Sequence, residues 1–132
     1  MSEFVLLEDD PAQAELLALV LARCLPEWRQ QVHLVVPGEA AGLAEGIIPA
    51  MPEPPGVLLV DAYLHGTCAA DLLPAVRGAC PAGVACVILS GDDSPSLRER
   101  CLAAGAAGFL LKPQNLADAR ALAEAVRQTL NA

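Results

Sequence analysis

The feature that most constrains the fold is an alternation, repeated five times, of a short apolar run with a longer Ala/Leu-rich segment of helical spacing. The runs fall at residues 4–7, 32–36, 57–60, 84–89 and 108–111 and are almost free of polar side chains. Short runs without polar–apolar alternation read as strands covered on both faces, as in a parallel sheet. The intervening segments then return across the sheet as helices. The first starts at Asp10-Pro11, an N-cap with proline at the first helical position, and runs to about Leu25, where Pro26 ends it. The last starts at Asn115, with Asp118 three residues on, and carries the apolar stripe Leu116, Ala119, Leu122, Ala123, Val126 and Leu130. Pro74 lies inside the third helix, where a lost donor and a steric clash cost on the order of 3 kcal/mol. That helix is expected to be short, kinked or restarted there.

Pro/Gly punctuation at Pro37-Gly38, at 52–56 and at 81–83 marks loops inside one domain, and 132 residues suffice for one compact unit. Hydrophobic residues make up 55% of the chain, which excludes disorder. The formal charge of −8 argues against a nucleic-acid footprint and favours a site that holds a cation. The apolar run at 16–22 is far short of the roughly 20 residues of a membrane span. The acidic N-terminus is unlike a signal peptide. Five cysteines without C-x-x-C spacing suggest neither a disulfide framework nor zinc, and read as small apolar residues in a reducing cytoplasm.

The chemistry stands at the strand ends. The first run ends in Glu8-Asp9-Asp10, the third in Asp61, the fourth in Ser90 and the fifth in Lys112. In an open parallel sheet, ligands bind beyond the carboxyl ends of the strands where strand order reverses. With strand order 2-1-3-4-5, Glu8, Asp9 and Asp61 converge there. Ionised carboxylates at about 4 Å repel by roughly 4 kcal/mol per pair at an effective dielectric near 20, so a proton or a cation must neutralise them. An all-oxygen site suits Mg²⁺ or Mn²⁺, and Mg²⁺ recruits phosphate oxygens. Lys112, the only lysine in the chain, leaves the last strand at the same edge and can pair with a carboxylate and a phosphoryl group. Ser90 offers its hydroxyl to the same group, and Asp61 can act as a nucleophile forming an aspartyl-phosphate.

Four segments carry a family resemblance: Val5-Leu6-Leu7-Glu8-Asp9-Asp10; Val57-Leu58-Leu59-Val60-Asp61 with Leu64 three residues on; Val87-Ile88-Leu89-Ser90-Gly91; and Ala104-Gly105-Ala106 leading to Phe109-Leu110-Leu111-Lys112-Pro113. In this order and spacing the chain resembles the receiver domain of bacterial two-component response regulators, from Phe4 to about Thr129. The resemblance implies a flavodoxin-like (βα)5 doubly wound sheet. It also implies that Asp61 accepts a phosphoryl group from a phosphohistidine. Asp9, Asp61 and the backbone carbonyl of Tyr63 would ligate Mg²⁺, with Glu8 acting mainly through water. Ser90 and Lys112 would hold the phosphoryl oxygens, and Ser90 with Phe109 would form the switch. The Lys112–Pro113 bond would be cis.

The implied partners are a histidine kinase or histidine phosphotransfer protein, then a target protein or a second copy of the chain. These would meet a face made by the fourth helix, fifth strand and fifth helix. No nucleic acid, membrane or output domain is expected. Departures from the family pattern are His65 in place of Pro, Ala69 in place of Gly, and Gln114 in place of Phe. Tyr63 and Asp92 fall at variable positions beside the site. Two alternatives from other classes stand beside this reading. One is a receiver-shaped interaction module that is never phosphorylated; the other is an aspartyl-phosphate hydrolase of the haloacid dehalogenase type, which would need a second Asp where Tyr63 stands.

Overall fold

The computed structural model describes residues 2–131. Five strands form one parallel sheet: β1 (Glu3–Glu8), β2 (Arg29–Leu34), β3 (Gly56–Asp61), β4 (Val84–Ser90) and β5 (Gly108–Leu111), in the spatial order β2-β1-β3-β4-β5. Five helices link or follow them: α1 (Pro11–Cys24), α2 (Pro37–Ala44), α3 (Ala69–Ala79), α4 (Pro95–Ala103) and α5 (Leu116–Asn131). This is the doubly wound, flavodoxin-like arrangement that the sequence predicts. A two-residue ribbon, Tyr63–Leu64 against Thr67–Cys68, stands between β3 and α3.

Alternation along β1 divides the core between the two faces of the sheet. Phe4 and Leu6 face Leu17, Leu21 and Leu25 of the α1 region and Leu122 and Val126 of α5. Val5 and Leu7 join Leu43, Leu72, Leu73, Val76, Leu97 and Phe109 on the other face. All four β1 residues are fully buried, so strands that look uniformly apolar serve two cores at once.

The helix boundaries follow local chemistry. The Asp10 side chain accepts from the amides of Ala12 and Gln13, and Pro11 opens α1. Asn115 accepts from the Asp118 amide while Asp118 accepts from the Gln114 amide, a reciprocal clasp at the start of α5.

Several expectations are corrected. β2 occupies Arg29–Leu34, not residues 32–36, and is largely exposed. It is an edge strand paired only with β1, so polar residues such as Gln30 and Gln31 are tolerated and apolarity is a poor guide to its limits. Pro37-Gly38 opens α2 instead of forming a loop, because proline at the first helical turn forfeits no intrahelical bond. α3 runs unbroken through Pro74, which faces solvent while Leu72, Leu73 and Val76 are buried in the core. Burial of that face outweighs the local cost of the proline. Leu16 and Leu19 of α1 are 56% and 70% exposed and lie outside both cores.

Candidate functional site

Sheet register brings the acidic residues together. Leu7 pairs with Val60, which sets Glu8 beside Asp61, and Asp61 pairs with Leu89. Ser90 pairs with Leu111, and the Lys112 amide continues that ladder by donating to the Ser90 carbonyl at 2.7 Å. Carboxylate oxygens of Glu8, Asp9 and Asp61 all lie within 4.8 Å of one another. The Lys112 ammonium is 2.9 Å from Glu8 Oε2 and 3.3 Å from Asp61 Oδ1. Three carboxylates opposed by one amine leave about two negative charges when all are ionised, the deficit a divalent cation fills.

Each carboxylate has its own environment. Glu8 is fully buried; Oε1 accepts from the amides of Asp9 and Asp10. Its Oε2 accepts no aligned hydrogen bond and is faced by Lys112 as a bare charge. Asp9 is half-buried. Burial acts upward on it, but the His65 amide, donating to Oδ2 at 2.9 Å, and the Asp61 and Glu8 side chains bring it below its ordinary value. Asp61 is 7% exposed, and burial together with neighbouring Glu8 pushes it up to about 8 against the pull of Lys112. Burial also acts downward on Lys112, but Glu8 and Asp61 hold its ammonium above the usual range. A buried carboxylate poised between proton and cation is the expected state of such a cluster before a metal binds.

Of the sequence-predicted residues, Glu8, Asp9, Asp61 and Lys112 are thus gathered at one edge, while the side chains of Ser90, Phe109 and Tyr63 are placed differently. Ser90 is buried at the end of β4, and its hydroxyl donates to the Asp92 carbonyl at 2.8 Å and accepts from the Asp92 amide at 3.1 Å. It is held by its own loop. Phe109 lies in the core at 4% exposure, and its carbonyl accepts from the Arg98 guanidinium. Tyr63 starts the short ribbon beyond Asp61, with its side chain 49% exposed.

The expected cis bond at Lys112–Pro113 is a correction: among the described residues the cis peptide is Pro54–Pro55. The trans form of an X–Pro bond is favoured by about 0.5–1 kcal/mol. With it, the Lys112 amide and ammonium already reach their partners at this edge.

Two contributors escape a reading of strand ends. Gln13, in the first turn of α1, accepts from the Lys112 ammonium through its side-chain oxygen. His65 and Gly66 have φ of 48° and 83°, the two left-handed positions of a tight hairpin turn. The His65 amide is thereby turned onto Asp9, and its ring nitrogen lies 2.6 Å from the Val35 carbonyl. A His-Gly pair between short apolar segments is a faint turn signal; Gln13 offers none.

No family model matches the sequence, and no curated relative matches it. Solved structures do match over the whole chain. The signal receiver domain of a DNA-binding response regulator from Colwellia psychrerythraea superposes with a TM-score of 0.70 at 19% identity, covering 100% of both chains. The chemotaxis response regulator CheY4 of Vibrio cholerae gives 0.68 at 19% identity, with 96% of this chain and 98% of that one covered. A protein assigned to pilus assembly, cpaE of Burkholderia thailandensis, gives 0.73 at 18% identity and covers 100% of both. The fold is that of response-regulator receiver domains.

Proposed function

We propose that the chain is a receiver that takes a phosphoryl group on Asp61 from a phosphohistidine donor. The observation that carries this reading is the placement of Lys112 between Glu8 and Asp61, 2.9 and 3.3 Å away, at the carboxyl edge of the sheet. A carboxylate oxygen of Asp61 attacks phosphorus, the P–N bond breaks, and the imidazole leaves and takes up a proton. Lys112 meets the incoming negative charge as a compact cation, and Ser90 turns its hydroxyl from Asp92 toward a phosphoryl oxygen. Asp9, Asp61 and the Tyr63 carbonyl would hold Mg²⁺ or Mn²⁺, with Glu8 acting through water. Oε2 of buried Glu8, which faces only the Lys112 ammonium, and the all-oxygen donor set fit such an ion. The ion would supply charge neutralisation at the transferring group.

Signalling in this reading is a biased two-state change of the α4–β5–α5 face, linked to Asp61 through Ser90 and the buried Phe109. Partners are a histidine kinase or phosphotransfer protein, followed by a target protein or a second copy, in the cytoplasm. The chain is not an enzyme in this account, beyond its own phosphorylation and dephosphorylation. A hydrolase of the haloacid dehalogenase type would carry Asp-x-Asp after its first strand, whereas Asp61-Ala62-Tyr63 follows the third strand and lacks the second Asp. Among the described residues no helix is long and apolar enough to cross a membrane.

The test is exposure to Mg²⁺ and acetyl phosphate with intact-mass detection. Gain of one phosphoryl group, absent in Asp61→Asn, is the expected result. A second reading, an interaction module that works unphosphorylated, draws on the engagement of the Ser90 hydroxyl by Asp92. Absence of any mass gain under every donor and metal would favour it.

A further inference from the structure

At the opposite edge of the sheet, the Cys80 and Cys86 sulfurs lie 3.3 Å apart. Cys80 caps the end of α3, and Cys86 is a buried residue of β4. The connection between them, Pro81, Ala82 and Gly83, is exposed. Both cysteines line a cleft of about 200 Å³ with Arg77, Val84, Ala85, Gly105 and Ala107. Arg77 is seated there by Gly105, whose φ is 106° and where a Cβ would come within 2.2 Å of the Arg77 guanidinium. The amide of Ala107 donates to the Cys86 carbonyl at 2.7 Å, which fixes the wall of the cleft to β4.

From this juxtaposition of two sulfurs, a guanidinium and an open cleft, we propose that Cys80 and Cys86 form a dithiol site that a hydroperoxide converts reversibly into a disulfide. The Cys80 thiolate attacks the terminal oxygen of the peroxide, the O–O bond breaks, and a sulfenic acid and hydroxide result. The Cys86 sulfur then attacks the Cys80 sulfur, the S–O bond breaks, and water leaves. Overall, two thiols and one hydrogen peroxide give one disulfide and two waters.

The assignment of attacking and resolving sulfur follows from their surroundings. Cys80 is half-exposed, and its hydrogen-bonding contact with the Cys86 sulfur holds it below the usual thiol range against partial burial, with Arg77 acting in the same direction. The same contact and its burial push Cys86 up. The sulfurs must close from 3.3 Å to about 2.05 Å. Cys80, at a helix end followed by an exposed loop, is the partner free to move. The side chains of this site make no contact with Asp61, and the test of the proposal needs no phosphoryl donor.

The experiment treats the full chain with hydrogen peroxide, blocks remaining thiols with N-ethylmaleimide, and maps tryptic peptides. The 78–98 peptide contains Cys80 and Cys86 and no other cysteine. It is expected to lose two hydrogens, take no maleimide, and recover both thiols after dithiothreitol. Cys86→Ala is expected to leave a dimedone-reactive sulfenic acid on Cys80. Arg77→Gln, which removes the tryptic site before residue 78 and is read instead on the 71–91 peptide released by cleavage before aspartates, is expected to slow Cys80 oxidation on the order of tenfold. Two maleimides on that peptide after peroxide treatment would overturn the proposal. So would oxidation of Cys24 as fast as that of Cys80.

Discussion

The backbone amide of His65 donates to Asp9 Oδ2 across the top of the sheet, at 2.9 Å, from a residue whose φ is 48°. One turn residue therefore orients a carboxylate that the charge pattern alone would leave free. His65→Pro removes the donor and excludes the positive φ, because proline is confined near −65°. We expect about tenfold weaker divalent-metal binding, the scale of losing a group that orients a ligand. His65→Gly keeps amide and turn and should bind like the parent. Isothermal titration with Mg²⁺ measures both, and equal affinity for the proline variant would refute the assignment.

Lys112 is the only described cation within 4 Å of either buried carboxylate, Glu8 or Asp61. Lys112→Gln leaves two buried acids facing each other. Removal of one partner from such a group costs about 3–5 kcal/mol. Urea denaturation should report a loss on that scale without metal, partly restored by Mg²⁺. Phosphoryl uptake should be lost in the same variant.

Asp61 titrates unusually, and the sign of its effect on stability follows. Its folded-state value lies near 8, above the ordinary 3.8, so the folded chain holds a proton that the unfolded chain releases. That contribution is complete below about pH 3.8 and is lost as pH rises toward 8 and beyond. In chelator, stability should therefore fall between pH 5 and 8, and Asp61→Asn should flatten the fall. Mg²⁺ binds the ionised form, so its stabilisation should grow over the same interval. A metal effect larger at pH 5 than at pH 8 would contradict this.

Far from the site, Gly56 begins β3 where a Cβ would lie 2.8 Å from the Glu53 carbonyl oxygen and 2.9 Å from that of Glu3. These are backbone atoms, which cannot rotate away. Gly56→Ala should cost about 1–3 kcal/mol in urea denaturation, while divalent-metal binding at the Glu8–Asp9–Asp61 edge should be unchanged.

Much of this architecture is legible in the sequence because buried parallel strands must be apolar on both faces. Four of the five runs mark their strands to within a few residues. The exception, β2, pairs on one side only, so Gln30 and Gln31 carry no penalty that patterning detects. The site is legible because charged residues directly after apolar runs have one place to go. Gln13 and His65 are not, since one reaches Lys112 from a helix turn and the other acts through its amide, which any residue but proline possesses. Pro74 misleads for a related reason: local propensity carries no record of the core that Leu72, Leu73 and Val76 bury on the same helix. The Cys80–Cys86 contact depends on how α3 meets β4, which spacing does not encode.

The most direct test of the proposed phosphoryl transfer to Asp61 locates the modified side chain itself. After acetyl phosphate and Mg²⁺, borohydride reduction converts an aspartyl-phosphate to homoserine, and peptide sequencing reads its position. Homoserine is expected at residue 61 and at no other aspartate, with none formed in Lys112→Gln. Homoserine at residue 9, 10 or 92, or its absence from a chain that has taken up phosphate, would contradict that transfer.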